Sequence, residues 1–418
     1  MASFRFLHCA DLHIDSPLRG LEADPDAPAD RIRSATRDAV VALVDYAITS
    51  KVDFVLAAGD IYDGEWKDWR TGQFLVREVR RLSQANIPFI AIRGNHDAQS
   101  IISHRLTLEL PAREMSAETV ETVILPELNV RIYGQSFKTR AVTDNLSKNY
   151  PPPDREWFNI GMLHTNVDSR PGYENYAPSS LSDLRNHEYD YWALGHIHGR
   201  SILSEDPWII YPGNLQGRHV RETGPKGAML VTVSEGKIAG RPEFIPFDTV
   251  RWDRIEVVVN AAEDEEAVIA IVRAKLAQAL AEAEGRLLAA RILVSGATPA
   301  YAAINRDIGA FRDRVRAEAM TMTGAGGIWI ESVAVDITAP TASGVEPGIL
   351  ESVINDLDFS DLGASATRYC KDMLDRASGL RGALGEDHFL INTATRTDLS
   401  ADLLKRARSL LLARLAEG

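Results

Sequence analysis

Five short apolar runs punctuate the first half of the chain, and each runs into a polar residue able to bind a cation. Phe4-Arg5-Phe6-Leu7-His8-Cys9 stops just before Asp11, and Val52-Asp53-Phe54-Val55-Leu56-Ala57-Ala58 stops just before Gly59-Asp60. The pattern then repeats: Ile87–Ile92 runs into Gly94-Asn95-His96-Asp97, Phe158–Leu163 into His164, and Tyr191–Leu194 into Gly195-His196-Ile197-His198. Apolar runs this short predict strands. Between the first of them, Ile32, Ala35, Ala39, Val40, Leu43, Val44 and Ala47 recur at helical spacing, as do Phe74, Leu75, Val79 and Leu82 further on. The βαβα order predicts an α/β fold with layered sheets and helices and a site at the carboxyl ends of the strands. Glycines 59, 94 and 195 are expected to let the backbone turn sharply there. Polar stretches at 137–157 and 165–187, with Pro151-Pro152-Pro153 and Pro171-Gly172, are expected to be loops that rim the site.

A second unit follows. Arg254–Val259 alternates like a strand, Ala262–Glu284 is Ala-rich and amphipathic, Leu287–Val294 is strand-like, Ile308–Met320 helical and Ile328–Ile337 a final strand. That order predicts a small α+β module. Thr338-Ala339-Pro340-Thr341-Ala342-Ser343-Gly344 reads as a linker. Beyond it, 347–374 and 399–416 read as helical, with an apolar stripe of Leu403, Ala407, Leu410, Leu411 and Leu415 beside Lys405, Arg406, Arg408 and Arg414. The stripe either covers its own core or docks a partner helix. The expected domains are therefore 1–248, 249–338 and a helical region 345–418.

With 418 residues and 45% hydrophobic content, the chain can bury two or three cores. The N-terminus shows no basic segment, apolar h-region or cleavage site, and no apolar stretch reaches the roughly 18 residues of a membrane span. A soluble chain is expected. Only Cys9 and Cys370 occur, which fits a reduced, cytoplasmic setting. The net charge of −13 argues against a general polyanion binder, because phosphate contacts need Lys and Arg on the contacting face. A local basic groove stays open, drawn from Arg19, Arg93, Lys138, Arg140, Arg170, Arg200, Arg218, His219 and Arg221. Arg218 and His219 lead, since they follow a strand-like run and a Pro-Gly turn.

The polar clusters carry the chemistry. Asp11, His13, Asp60, Asn95, His164, His196 and His198 have the composition and order of a two-metal phosphoesterase site. Two divalent ions about 3.5–4 Å apart need a bridging carboxylate, further nitrogen and oxygen ligands, and room for water and a phosphoryl oxygen. Asp60 is the natural bridge. Mixed imidazole, amide and carboxylate donors favour manganese, with iron or zinc as alternatives, over calcium or magnesium, which prefer oxygen shells. Asp97, His8 and Asp15 read as residues that hold the ligands in place. A lone Asp-x-His says little; the joint order carries the reading.

These motifs resemble the calcineurin-like metallophosphoesterase superfamily, and within it the SbcD-type DNA repair nucleases of the YhaO-like branch. The narrower likeness rests on Leu7-His8-Cys9-Ala10-Asp11-Leu12-His13-Ile14-Asp15-Ser16-Pro17 and Gly59-Asp60-Ile61-Tyr62-Asp63. It rests equally on Tyr191-Trp192-Ala193-Leu194-Gly195-His196-Ile197-His198 and Tyr211-Pro212-Gly213-Asn214-Leu215-Gln216-Gly217-Arg218-His219. The resemblance implies a four-layer α/β/β/α sandwich, with the second unit as a small α+β capping domain. It implies one ion on Asp11, His13, Asp60 and His198, a second on Asp60, Asn95, His164 and His196, and His96 over the scissile phosphate as general acid or transition-state stabiliser. It further implies DNA as substrate and an SMC-like ATPase as partner, with a homodimer left open. One departure stands out: many relatives place a His a few residues after the bridging Asp, where this chain has Ile61-Tyr62-Asp63-Gly64. That bears on DNA-end geometry, not on the metals. Two functions remain, a metal-dependent DNA nuclease and a phosphoesterase on nucleotides or other small phosphoesters. A scaffold with a dead site is disfavoured by the complete ligand set.

Overall fold

A computed structural model describes residues 3–17, 27–63, 68–99, 111–260, 262–324 and 326–340. The expected helical region 345–418 and Arg19 lie outside the described residues. The chain divides into two compact units, the first running to Trp252 and the second continuing from Asp253.

The apolar runs of the first unit become strands. β1 (Phe4–Cys9), β2 (Phe54–Ala58) and β3 (Phe89–Ile92) pair in parallel, with the short β4 (Arg113–Glu114) beside β3. β5 (Glu121–Leu125), β6 (Val130–Gly134), β7 (Phe158–His164), β8 (Tyr191–Gly195), β9 (Ser201–Glu205) and β10 (Trp208–Tyr211) form a second sheet in the order β5-β6-β7-β8-β10-β9. The chain then returns to the first sheet through β11 (Gly227–Ser234), β12 (Lys237–Ile238) and β13 (Glu243–Pro246), with β11 antiparallel to β1. The helices of this unit are α1 (Ala29–Thr49), α2 (Trp69–Gln84), α3 (Asn95–Gln99) and α4 (Leu181–Asn186).

Alternation along the strands sorts the side chains into layers. Leu7, Cys9, Val55, Ala57, Phe89 and Ala91 face α1 and α2, where they join Ala39, Leu43, Val44, Phe74 and Val79 in one buried cluster. Their neighbours Phe6, Phe54, Leu56, Ile90 and Ile92 point the other way and pack with Ile132, Ile160, Met162, Tyr191 and Ala193 of the second sheet. The far face of that sheet buries Tyr133, Leu163, Trp192 and Leu194 with Leu184 of α4, Phe137 and Tyr150. The result is the α/β/β/α sandwich. Helix α4 corrects the expectation of loop throughout 165–187: the Ser180 side chain accepts the Asp183 amide, and the Asp183 side chain accepts the Ser180 amide. A six-residue helix is too short for hydrophobic periodicity to register, so only its capping box was there to be read.

The second unit holds β14 (Val250–Val258), α5 (Glu265–Glu282), β15 (Leu287–Ala297), α6 (Tyr301–Arg306), α7 (Ile308–Thr323) and β16 (Ile328–Thr338). Its sheet has the order β14-β15-β16, with β15 and β16 parallel. Val257, Val268, Val272, Leu276, Ile292, Val294, Phe311 and Val315 supply its core. Among the described residues no helix is long and apolar enough to cross a membrane.

One packing constraint lies within the second sheet, between β7 and β8. A Cβ built on Gly161 of β7 would lie 2.4 Å from the Trp192 ring, so these neighbouring strands admit only hydrogen there. Gly161→Ala should lower the unfolding free energy by about 1–3 kcal/mol in a urea titration, the range expected for overpacking. An unchanged midpoint would show that the indole moves aside freely.

Candidate metal centre

The clusters converge because the two sheets present their strand ends at one edge. The loop after β1 is zipped to the loop after β2: the amides of Asp11, His13 and Ile14 donate to the carbonyls of Gly59, Asp60 and Ile61, each at 3.0 Å. The end of β7 meets the end of β2 through His164, whose Nδ1 lies 3.0 Å from the Ala58 carbonyl oxygen. This fit leaves little room. A Cβ on Gly94 would come within 2.3 Å of Asp60 Oδ1, and one on Gly195 within 1.9 Å of the Ala58 oxygen. Only Gly59 has the positive φ expected of a sharp turn, at +92°; Gly94 and Gly195 are small because backbone and ligands crowd them. The strained residues are the polar ones. Asp11, His13, Asp60 and His196 sit at φ 50°, 41°, 51° and 100°, a region that costs non-glycine residues energy and persists where surrounding bonds enforce it.

Among the described residues, three groups gather donor atoms within 4.8 Å: Asp11 with His13 and His198, Asp11 with Asp60 and His164, and His13 with Asp60 and His96. His13 Nε2 lies 3.2 Å from His198 Nε2 and 3.8 Å from Asp60 Oδ2. His164 Nε2 lies 3.4 Å from Asp60 Oδ2 and 3.1 Å from Asn95 Oδ1. His196 stands slightly apart from these groups. Its backbone N–H donates to both Asp11 oxygens at 3.1 Å, its ring is 5.2 Å from that of His164, and its Nε2 is 2.8 Å from the Glu174 carbonyl oxygen. All seven sequence candidates thus lie in one neighbourhood, together with His96.

Hydrogen-bond bookkeeping shows what the cluster is built to hold. A carbonyl oxygen only accepts, so the Ala58 contact puts the neutral His164 proton on Nδ1 and leaves a lone pair on Nε2. That lone pair faces two further acceptor oxygens, Asp60 Oδ2 and Asn95 Oδ1. His198 repeats the arrangement. Its Nδ1 is 2.7 Å from the Glu222 carboxylate, so its Nε2 lone pair faces His13 Nε2. In their neutral forms these imidazoles turn lone pairs toward the Asp60 and Asn95 oxygens and toward one another, a donor set that fits a divalent metal; without a metal, a proton on His164 meets Asp60 instead.

The electrostatics show the same pull on positive charge. Burial pushes the Asp11 carboxyl upward, whereas in Asp60 the push from burial is outweighed by His164, His13 and His96, which hold it well below the usual range. Burial works against a charged His164, yet Asp60 lifts it to about 9; His196, dominated by burial, falls to about 4. Asp60 is therefore the anionic focus of the site.

Of the three residues read as supports, Asp97 takes that part directly. Asp97 accepts the amides of Ile61, Tyr62 and Gly94, at 3.1, 2.8 and 3.0 Å, and so braces both ligand loops. His8 is satisfied by Tyr191 and the Leu194 carbonyl and belongs to the core. Asp15 pairs with Arg37 and accepts from Thr71. Two others escaped the sequence reading. Asp63 holds His96, with Oδ1 3.0 Å from the ring Nδ1, and Glu222 holds His198. Asp63 stands in the stretch where a His was missed, and Glu222 lies four residues after Arg218; neither spacing pointed to an imidazole far away in sequence. Arg218, expected as a groove cation, is half-buried and pairs with Glu222 at 2.9 Å. Loop 165–179 does rim the site, bringing the Tyr173 and Tyr176 rings within 5.9 Å of His196.

The chain is similar in sequence to known proteins. Residues 4–200 match the model of the calcineurin-like phosphoesterases, and residues 252–338 match the middle domain of metallophosphoesterase YhaO. A protein of Bacillus subtilis (strain 168) described as "Uncharacterized metallophosphoesterase YhaO" is 34% identical over 307 residues, which cover 72% of this chain and 74% of that one. The chain belongs to the YhaO-type calcineurin-like metallophosphoesterases. More distant relatives are described as DNA double-strand break repair protein Mre11. The Sulfolobus acidocaldarius protein is 28% identical over 47% of this chain and 50% of its own length, and the Sulfurisphaera tokodaii protein 26% identical over 56% and 61%. The match to these two spans less than two thirds of their lengths.

In this metallophosphoesterase the Asp97 brace is open to test. Asp97→Ala leaves three buried or half-buried amides without their acceptor, and each unsatisfied buried donor costs about 1–3 kcal/mol. The metal-free protein should melt several degrees lower. An unchanged melting temperature would mean that the loops are held by the backbone zipper alone.

Proposed function

We propose that the protein is a two-metal phosphodiesterase that acts on DNA. The observation that carries the reading is Asp60, whose carboxylate faces His13 and His164 at once and so sits between two sets of donors. One ion would rest on Asp11, His13, Asp60 and His198, the other on Asp60, Asn95, His164 and His196, with manganese the favoured metal and iron or zinc the alternatives. When bound, such a pair acidifies water and offsets the charge that builds on a phosphoryl group. The chain's own residues do the rest. Asp60 Oδ1 accepts the His96 N–H at 2.9 Å and fixes that residue's backbone over the site. Asp63 holds its Nδ1, and Asp63 and Asp60 raise the imidazole pKa against the opposing effect of burial. A proton held at Nε2 suits a general acid delivering it to a leaving oxygen.

DNA as substrate is supported by the relatives described as double-strand break repair proteins and by the second unit, for which a stand-alone small-molecule phosphatase has little need. The SbcD-type resemblance adds an SMC-like ATPase as partner, reached through 345–418, with a homodimer possible. Cys9 is a buried free thiol, in keeping with a reducing cytoplasm. One observation favours the second reading, small phosphoesters. Arg93 pairs with Glu114, Lys138 with Glu118 and Arg218 with Glu222, so several groove candidates are already neutralised.

Two measurements test the function. With manganese and bis-p-nitrophenyl phosphate, Asp60→Ala should lose both ions and activity, while His96→Ala should keep both ions and lose about 10²–10⁴ in turnover. An empty site in His96→Ala would overturn its assignment as acid. On linear duplex and hairpin DNA, manganese-dependent degradation should appear and weaken steeply with salt. Intact DNA of every form beside rapid turnover of nucleotides would decide for small phosphoesters.

A further inference from the structure

The run Tyr211-Pro212-Gly213-Asn214-Leu215-Gln216-Gly217-Arg218-His219 carries family likeness but no assigned chemistry. It leads to Glu222, a buried carboxylate that gathers one residue of the metal centre, His198, with Arg218 and Asn214 of this run. Oε1 is 2.7 Å from His198 Nδ1, and Oε2 accepts the Arg218 amide at 2.8 Å and Asn214 Nδ2 at 2.9 Å. The Arg218 guanidinium forks: Nη2 donates to Glu222 Oε1 at 2.9 Å, and Nη1 lies 3.7 Å from Asp63 Oδ2. Asp63 in turn holds His96.

We propose that Glu222 and Arg218 are positioning residues that lock the His198 imidazole and tie it to the Asp63–His96 pair; this rests on the two-metal reading above. An ionised carboxylate can only accept, so Glu222, at 2.7 Å against 3.2 Å for the competing Arg218 Nη2 donor, fixes the His198 proton on Nδ1 and directs the Nε2 lone pair toward His13. Without it the ring could take either tautomer and either flip. Arg218 compensates two carboxylates from one rigid, planar fork, a geometry that a lysine cannot reproduce. It therefore sets the spacing between a metal ligand and the partner of the acid. The pair holds a site rather than the fold, because its side-chain contacts are His198, Asn214 and Asp63 instead of core residues. Removing such an outer partner of a metal-bound histidine typically weakens the metal by 10–100-fold.

The test uses the full chain stripped of metal, titrated with manganese in a calorimeter. Wild type should take up two ions; Glu222→Gln should weaken one of them by about 10–100-fold and leave the other nearly unchanged. Arg218→Met should do the same and also lower turnover of the generic diester at saturating manganese without raising KM. Nitrogen NMR of the metal-free imidazoles should show His198 with its proton on Nδ1 in wild type and a tautomer mixture in Glu222→Gln. This reading needs no ion, so it decides the inference even if wild type fails to bind two metals, an outcome that would sink the two-metal reading instead. Unchanged affinities together with an unchanged tautomer overturn the proposal. So does equal weakening of both ions with a lowered metal-free melting temperature in both Glu222→Gln and the charge-balanced Glu222→Gln/Arg218→Met double variant.

Discussion

A single buried carboxylate, Asp60, faces imidazoles from three other segments of the chain, and most of the first unit serves to keep it there. An isolated ion of that kind is too costly to bury, so it must be surrounded by compensating groups held at fixed distances. His13, His164 and His96 supply them, from the ends of β1, β7 and β3. None of these residues can be reached from Asp60 along the chain. The stacked sheets bring them together, with Phe6, Phe54, Ile160 and Tyr191 filling the layer between.

Local strain follows from the same requirement. Ligands that leave strand ends must turn back at once toward a common point, and Asp11, His13, Asp60 and His196 do so with left-handed backbones. The cost is sustained by the amide zipper between the loops after β1 and β2 and by Asp97, which gathers three amides from two loops. Rigid support of this kind suits metal chemistry, where a misplaced ligand loses affinity. It also explains why small residues stand at Gly94 and Gly195, where a methyl group would collide with a ligand or a carbonyl.

Charge is distributed with similar economy. The chain carries a net −13, and the basic side chains nearest the centre are largely engaged with carboxylates of their own. Arg218 shows the consequence: a residue that looked like a phosphate contact is half-buried between Glu222 and Asp63. Among the described residues these pairs leave fewer basic side chains to meet a phosphate backbone, which makes salt sensitivity informative about substrate.

The sequence by itself determined the five strands that lead into the polar clusters, the first two helices, most of the second unit's element order and the candidate ligands. Each of these is encoded locally, by apolar runs of period two or 3.6 and by polar residues placed at their ends. It could not determine α4 or α6, whose six residues are too few for a periodic signal. Nor could it assign Asp63 to His96 or Glu222 to His198, or demote Arg218 from groove to ion pair. Those roles depend on which side chains meet across 33, 24 and 155 residues of separation, between Asp63 and His96, His198 and Glu222, and Asp63 and Arg218. Only the packing of one sheet on another decides such meetings, because hydrogen-bond partners are chosen by distance in space.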